Sequence, residues 1–193
     1  MKTLLAAITL AVCWAACGAF AAEPVNLKVG DPAPSFEALD DTGKLWKSSD
    51  YVGKKIVVVY FYPADCTGGC TAQAKGYRDD LEKLSAAGVE VVGVSGDTVR
   101  NHQLFKKKEN LNFTLLADTE GKVAQAFGVE YTPGEKSVKA VIDDKEELLV
   151  RTLTTKRWTF VIGKDGKILS KNTNVKAAED SKAVLDLVAK IAQ

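Results

Sequence analysis

A continuously apolar run of seven residues most limits what this chain can fold into. It reads Ile-Val-Val-Val-Tyr-Phe-Tyr over residues 56–62 and is rich in β-branched and aromatic side chains. Because no polar residue interrupts it, the run predicts a strand that is buried on both faces. Such strands lie in sheets that helices cover on both sides. Pro63 ends the strand, since proline has no backbone N–H to donate.

The residues that follow alternate between helix and strand patterns. Apolar residues at helical spacing occupy residues 71–87, Gly88 stands at the C-terminal cap, and residues 89–94 form a second apolar run. Further elements are expected as a strand at 36–39, a helix that carries Leu104 and Phe105, a strand at 113–116, a helix at 122–127, a hairpin of 158–162 with 167–169, and a closing helix at 177–192. This order predicts an α/β fold with a mainly parallel central sheet flanked by helices. Residues 130–156 are the least regular, and 139–150 are expected to add a hairpin.

The first residues have the pattern of a secretory leader. Lys2 precedes an apolar run over residues 4–20, and small residues at positions 19 and 21 mark a cleavage site. We expect a signal peptide over residues 1–21, export to the periplasm, and one domain over residues 22–193 that keeps no membrane span after cleavage. An uncleaved anchor and a lipid anchor at Cys17 are the alternatives, although Trp14 stands where a lipidation site would carry a branched aliphatic residue.

The charges of the chain are balanced and dispersed. It has 26 basic and 25 acidic residues, and loss of a leader that contains Lys2 makes the two numbers equal. Basic side chains are scattered among acidic ones, as on an ordinary solvated surface. This distribution argues against nucleic acid as a partner. A monomer or a homodimer is expected.

Cysteine usage points to a redox or metal-binding pair. Of the four cysteines, Cys13 and Cys17 leave with the leader, so Cys66 and Cys70 remain. Two cysteines cannot build a disulfide scaffold. A bridge across so short a loop would add little stability, because it removes little entropy from the unfolded chain.

The chemistry is expected in the segment 63–71, between the apolar strand and the helix, where open α/β sheets place their sites. Cys70 falls in the first turn of the helix, where free N–H groups and the helix dipole favour a thiolate over a thiol. If Cys70 attacks a peroxide, the hydroxyl of Thr67 can bind the peroxide, and Pro63 can shield the pocket from water. Arg157 is the expected guanidinium donor to sulfur and oxygen, because it precedes an apolar strand over 158–162 that could run beside the strand before Pro63.

These residues carry a resemblance to a known family. The pattern Pro63-x-x-x-Thr67-x-x-Cys70 resembles the peroxiredoxin signature, and Arg157 with the strand after it resembles that family's second arginine motif. The similarity covers about residues 29–169 and is greatest to the Q-type branch, also called bacterioferritin comigratory proteins. It implies a thioredoxin-like fold with an N-terminal peroxiredoxin extension. It also implies reduction of hydrogen peroxide and organic hydroperoxides through a cysteine sulfenic acid, with a thioredoxin-like protein or a small thiol as reductant and with neither cofactor nor metal.

One position departs from that branch. Many Q-type members carry a resolving cysteine five residues after the peroxidatic one, where this chain has Lys75. Either Cys66 resolves the sulfenic acid or an outside thiol does. Cys66 is therefore the candidate resolving cysteine, and its alternative is a passive residue in an extended loop.

Three polar residues need a separate interpretation. Gln73, one turn into the helix, either orients Arg157 or is an exposed helical glutamine. His102 is expected on a solvated helix face, and Asp97 is expected as the cap of that helix.

Two other functions compete with peroxide reduction. Cys66 and Cys70 have the spacing of a Sco-type copper-handling or thiol-disulfide protein, because two thiolates suit Cu(I). Such proteins add a distal histidine, whereas the only histidine here is His102. The third possibility is a binding domain in which the two cysteines form a static disulfide.

Overall fold

Seven strands form one sheet in the computed structural model, which describes residues 25–191. The strands are β1 (Glu37–Asp40), β2 (Leu45–Lys47), β3 (Ile56–Phe61), β4 (Val89–Ser95), β5 (Thr114–Ala117), β6 (Tyr131–Ile142), β7 (Lys145–Thr155), β8 (Trp158–Ile162) and β9 (Ile168–Asn172). The helices are α1 (Gly68–Ala86), α2 (Val99–Glu109), α3 (Lys122–Ala126) and α4 (Asp180–Ile191). The predicted signal peptide, with Cys13 and Cys17, lies outside these residues. None of the helices within them is long and apolar enough to cross a membrane.

The order of strands across the sheet is β2-β1-β5-β4-β3-β8-β9. All six residues of β3 are buried, so the prediction of a strand with two covered faces is confirmed. The prediction of mainly parallel pairing is wrong. Only the β3–β4 and β4–β5 pairings are parallel, and the other four pairings in this sheet are antiparallel. Part of the reason is that β1–β2 and β8–β9 are hairpins, whose short turns return the chain antiparallel at the two edges.

Alternate side chains of β3 enter two different cores. Val58 and Tyr60 belong to a cluster beneath α1 and α4, whereas Val59 and Phe61 belong to a cluster on the opposite face of the sheet. This alternation follows from the two-residue repeat of a strand. Cys70 is part of the first cluster, so the cysteine side chain points toward the sheet rather than into solvent.

A hairpin of β6 and β7 stands outside the seven-stranded sheet. The expected hairpin at 139–150 is present but extends further, since pairing begins at Tyr131 and Thr155. Its apolar side chains Ala140, Ile142 and Leu149 form a third cluster, against which Cys66 and Leu104 pack. The hairpin therefore covers the segment that precedes α1.

Candidate active site

Cys70 is the third residue of α1, at the C-terminal end of β3. The helix begins at Gly68, three residues before the predicted start, and Thr67 is its N-cap residue in an extended conformation. The Cys70 side chain is buried, with 1% of its surface exposed. Backbone N–H groups in the first turn of a helix have no partner within the helix, and they stabilise negative charge placed among them. Cys70 therefore lies at a helix start, a position that suits a group on which negative charge develops.

The Thr67 hydroxyl lies beside the start of the helix. It donates a hydrogen bond to the carbonyl oxygen of Ala64, at 3.0 Å. Because that bond uses the hydroxyl proton, the lone pairs of the oxygen stay available to accept a hydrogen bond from a bound molecule. Pro63, half-buried, lies between β3 and this turn.

Arg157 reaches Cys70 from the neighbouring strand. The prediction that residues 158–162 run beside the strand before Pro63 is confirmed, since β8 pairs antiparallel with β3 and Trp158 faces Phe61. Arg157, the residue before β8, consequently lies at the C-terminal end of β3. The guanidinium Nη2 of Arg157 donates to Cys70 Sγ at 3.1 Å.

Gln73 joins this pair from the next turn of α1. It is fully buried, so its interpretation as an exposed glutamine is wrong. Its amide oxygen accepts a hydrogen bond from Arg157 Nη1, and its Nε2 donates to Asp180 Oδ2 at 2.8 Å. The two terminal nitrogens of the guanidinium are thus divided between Gln73 and the sulfur of Cys70. Sequence reasoning missed Asp180, because an acidic residue at the start of a helix has the pattern of an ordinary cap.

Buried polar groups hold the turn that carries Thr67. Asp65 is fully buried, and its carboxylate accepts from the Tyr62 hydroxyl at 2.7 Å and faces His102 Nδ1 at 2.8 Å. Its backbone N–H donates to Asp97 Oδ2 at 2.9 Å. Carboxylates therefore attach the turn to α2 and to the segment after β4, in addition to the apolar packing of Cys66.

The structure corrects the predictions for His102 and Asp97. His102 is fully buried instead of solvated. The cap of α2 is Thr98, whose hydroxyl accepts from the Asn101 backbone N–H at 3.2 Å, while Asp97 turns inward. The spacing of three residues between His102 and the buried Phe105 is the sequence signal that would have placed His102 on the inner face of α2.

The pKa of His102 is raised in the folded protein. Burial alone would lower it, but the Asp65 carboxylate, the hydrogen bond to it and the nearby Asp97 outweigh that effect. Burial and the charge of Asp65 also raise the pKa of Asp97. His102 therefore binds a proton more tightly in the folded chain than in the unfolded one, and this difference makes the stability depend on pH.

We predict that the substitution His102→Gln lowers the free energy of unfolding by about 3 kcal/mol, because it leaves the Asp65 carboxylate buried without a charged partner. The loss should be greatest below the ordinary histidine pKa of 6.5, where the raised pKa contributes in full. It should shrink as the pH rises through the higher pKa of the folded state. Urea unfolding of both proteins across this range measures the difference, and parallel pH profiles would contradict the prediction.

Cys66 occupies a tight turn rather than the predicted extended loop. Its φ of 57° lies in the left-handed region, which costs about 1 kcal/mol for a residue other than glycine. The side chain is half-buried against the hairpin cluster. Burial and the Asp65 carboxylate raise the pKa of Cys66 to about 12, so that it is a thiol at neutral pH. Both Cys66 and Cys70 are free cysteines, and the static disulfide is absent from this state.

The copper-handling alternative is not favoured by the arrangement. His102 uses its Nδ1 for Asp65 and is enclosed in the protein. Within residues 25–191, no group of three or more His, Cys, Asp and Glu side chains could hold a metal ion. The site instead combines a buried cysteine at a helix start with a guanidinium and a hydroxyl, which are groups suited to a thiolate nucleophile and a developing oxyanion.

Comparison with known proteins gives the family. Residues 29–171 match the AhpC/TSA family. Peroxiredoxin Bcp of Escherichia coli (strain K12) is 42% identical over 142 residues, which cover 74% of this chain and 83% of that protein. The crystal structure of peroxidoxin BcpB from Mycobacterium tuberculosis has a TM-score of 0.71 at 30% identity and covers 86% of this chain and 99% of that one. The bacterioferritin comigratory protein of Xanthomonas campestris, described for its alkyl peroxide reduction activity, has a TM-score of 0.68 at 26% identity, with coverage of 86% and 98%.

The chain therefore belongs to the AhpC/TSA family. Its relatives are peroxiredoxins of the Bcp and Q type, and the protein is a thiol-dependent peroxidase with a thioredoxin-like fold. A peroxide is its substrate and a thiol its reductant. The resemblance drawn from the sequence is confirmed.

Proposed function

We propose that Cys70 is the peroxidatic nucleophile and that Arg157 and Thr67 bind the peroxide in the transition state. The observation that carries this proposal is the 3.1 Å contact between Arg157 Nη2 and Cys70 Sγ at the first turn of α1. The Cys70 thiolate attacks one oxygen of the peroxide, the O–O bond breaks, and the sulfur keeps that oxygen as a sulfenic acid. The other oxygen leaves as an alkoxide or hydroxide and takes a proton. Arg157 stabilises this leaving oxygen, the Thr67 oxygen accepts a hydrogen bond from the peroxide O–H, and Pro63 limits the entry of water.

We propose hydrogen peroxide and organic hydroperoxides as the substrates. Alkyl peroxide reduction is an activity of the Xanthomonas campestris relative. The proposed guanidinium and hydroxyl would contact only the O–O unit that both kinds of peroxide share. A thioredoxin-like dithiol, or two equivalents of a small thiol, supplies the two electrons that return Cys70 to the thiolate.

Stopped-flow mixing of the reduced protein with peroxide tests this function. One equivalent of hydrogen peroxide should be consumed in a single rapid phase, and a sulfenic-acid trap should label Cys70. The same measurement with an alkyl hydroperoxide compares the two substrates. Labelling of Cys66 in place of Cys70 would overturn the assignment of the nucleophile.

We propose that Cys66 resolves the sulfenic acid of Cys70. The thiol sulfur of Cys66 would attack the Cys70 sulfur, the sulfenic oxygen would leave as water with the thiol proton, and a disulfide would form. The raised pKa of Cys66 makes this attack slow while its turn is intact, because the thiolate is the nucleophile. Release of the strained turn at Cys66, before Gly68, frees the thiol from Asp65 and from the hairpin.

We predict that one equivalent of peroxide converts the native protein to an intramolecular disulfide. The variant Cys66→Ala should stop at the sulfenic acid and pass to the sulfinic acid more readily, since no internal thiol competes with further peroxide. Mass spectrometry of the two treated proteins measures both products. A persistent sulfenic or sulfinic Cys70 beside a free Cys66 in the native protein would show an enzyme that depends on an outside thiol alone.

We infer from the leader pattern that the protein is exported to the periplasm and loses residues 1–21. Lys2, the apolar run and the small residues at the cleavage site support this inference. Amino-terminal sequencing of the protein isolated from a periplasmic fraction should begin at Ala22. Retention in membranes with a lipid on Cys17 would favour the anchored form.

A further inference from the structure

Asp180 is a buried carboxylate at the centre of a hydrogen-bonded group beneath the active site. It is the first residue of α4, and 3% of its surface is exposed. One of its oxygens, Oδ2, accepts from Gln73 Nε2 at 2.8 Å, from the Tyr77 hydroxyl at 2.7 Å and from the Thr159 hydroxyl at 2.7 Å. These partners are neutral donors, and no basic side chain forms a salt bridge with Asp180 in the part of the chain that the structure describes.

The donors and acceptors of this group have a fixed direction. An ionised carboxylate can only accept, so it holds Gln73 with its NH₂ group toward Asp180. The amide oxygen of Gln73 must then face Arg157, whose guanidinium can only donate. Arg157 is held by that oxygen through Nη1, and its Nη2 is left to bind Cys70. If the Gln73 amide were reversed, its NH₂ group would face the guanidinium of Arg157. Arg157 would then lose the hydrogen bond that holds it in place.

Asp180 lies where α4 packs against α1. Burial and the Asp180 carboxylate raise the pKa of Tyr77 well above its ordinary value, so the phenol remains a donor. The start of α4 lies very close to α1 at Gly76, where an added β-carbon would meet Ser181 Oγ at 2.9 Å. Ser181 in turn donates to Asp80 of α1 at 2.9 Å. The Ser181 contacts join α4 to α1 separately from the hydrogen bonds that Asp180 accepts from Gln73 and Tyr77 of α1.

We propose that Asp180 is a positioning residue for peroxide reduction, which acts through the Gln73 amide to aim Arg157 at Cys70. This inference rests on the roles proposed for Cys70 and Arg157. It assigns to the carboxyl-terminal helix a part in the chemistry, because docking of α4 against α1 brings the carboxylate to the amide. The competing interpretation is that Asp180 only fastens α4 to α1.

The substitution Asp180→Asn tests the proposal, because it keeps the shape of the side chain and removes its acceptor-only character. We expect the rate of Cys70 oxidation by hydrogen peroxide to fall about 10- to 100-fold, by analogy with the loss of hydrogen-bond partners that orient metal ligands. The thiolate absorbance at neutral pH should fall as well. The double variant Asp180→Asn with Gln73→Glu reverses the polarity of the pair, since a glutamate accepts both from the new amide at position 180 and from Arg157. The double variant should recover most of the rate of Cys70 oxidation and most of the thiolate absorbance.

A role confined to fastening α4 predicts a different set of results. The double variant would then be no faster than Asp180→Asn, and that result would overturn the proposal, as would native rate and absorbance in Asp180→Asn. Ser181→Ala, which removes a contact between α4 and α1 without touching the amide, is the matched control and should keep the native rate. If Asp180→Asn does not fold, Gln73→Met carries the test, and a native rate in that variant overturns the proposal. Cys70→Ser tests the assignment of the nucleophile separately, so a failure of that assignment can be distinguished from a failure of the role proposed for Asp180.

Discussion

Substitution of Cys70 by serine is expected to abolish peroxide reduction. A hydroxyl at this position stays protonated at neutral pH and is a far weaker nucleophile than a thiolate, so neither the helix start nor Arg157 can activate it. The residual rate should not exceed that of the peroxide in buffer. Stopped-flow mixing with hydrogen peroxide, followed by assay of the remaining peroxide, measures this loss.

The matched control for Cys70→Ser is the same exchange at Cys66. Cys66→Ser should consume the first equivalent of peroxide at the native rate, because the side chain of Cys66 packs against the hairpin, whereas Arg157 donates to Cys70. Both variants should unfold at a temperature close to that of the native protein. A near-native rate in folded Cys70→Ser would show that another group attacks the peroxide.

The elements next to the active site were predictable from sequence because their patterns are local. The run at 56–62 has no polar residue, and β3 indeed has both faces buried. The apolar spacing after Cys70 and the glycine at position 88 gave α1 within three residues at its start. The prediction of mainly parallel pairing failed because the direction of a strand depends on which strand it joins, which no single run of residues encodes.

The sequence also predicted residues of the site, because they lie in one short segment, residues 63–71, or directly before the strand at 158–162. The contact of Arg157 with Cys70 depends on the pairing of β8 with β3, which the two apolar runs indicated. Asp180 and the Asp65–His102 pair were missed, since each depends on the packing of a helix against α1 or against the turn before it. Polar residues such as these have the same sequence pattern whether they face solvent or a buried partner. Only the packed structure distinguishes the two cases.

The hairpin of β6 and β7 was also only partly predictable from the sequence. The first half of β6 is exposed throughout, and it contains Pro133 and Gly134, both rare inside strands. Its pairing with β7 holds because β7 places Leu149 and Leu153 inward. The sequence therefore indicated only the regular central part of the hairpin, and its contact with Cys66 had no sequence signal at all.

Replacement of Arg157 by lysine is expected to slow the oxidation of Cys70 about 100-fold or more, although the charge is kept. A guanidinium has separate nitrogens for Gln73 and for the sulfur, whereas the single ammonium of lysine cannot hold both acceptors in that geometry. Arg157→Ala should lose at least as much, and neither variant should change the unfolding temperature greatly, because the side chain is only half-buried. Lys156→Met is the matched control, since it removes an exposed charge one residue away and should leave the rate unchanged. Single-turnover kinetics with hydrogen peroxide compare the four proteins. A native rate in folded Arg157→Lys would contradict the prediction, because a positive charge near the sulfur would then be enough for the reactivity of Cys70, without the directed pair of hydrogen bonds.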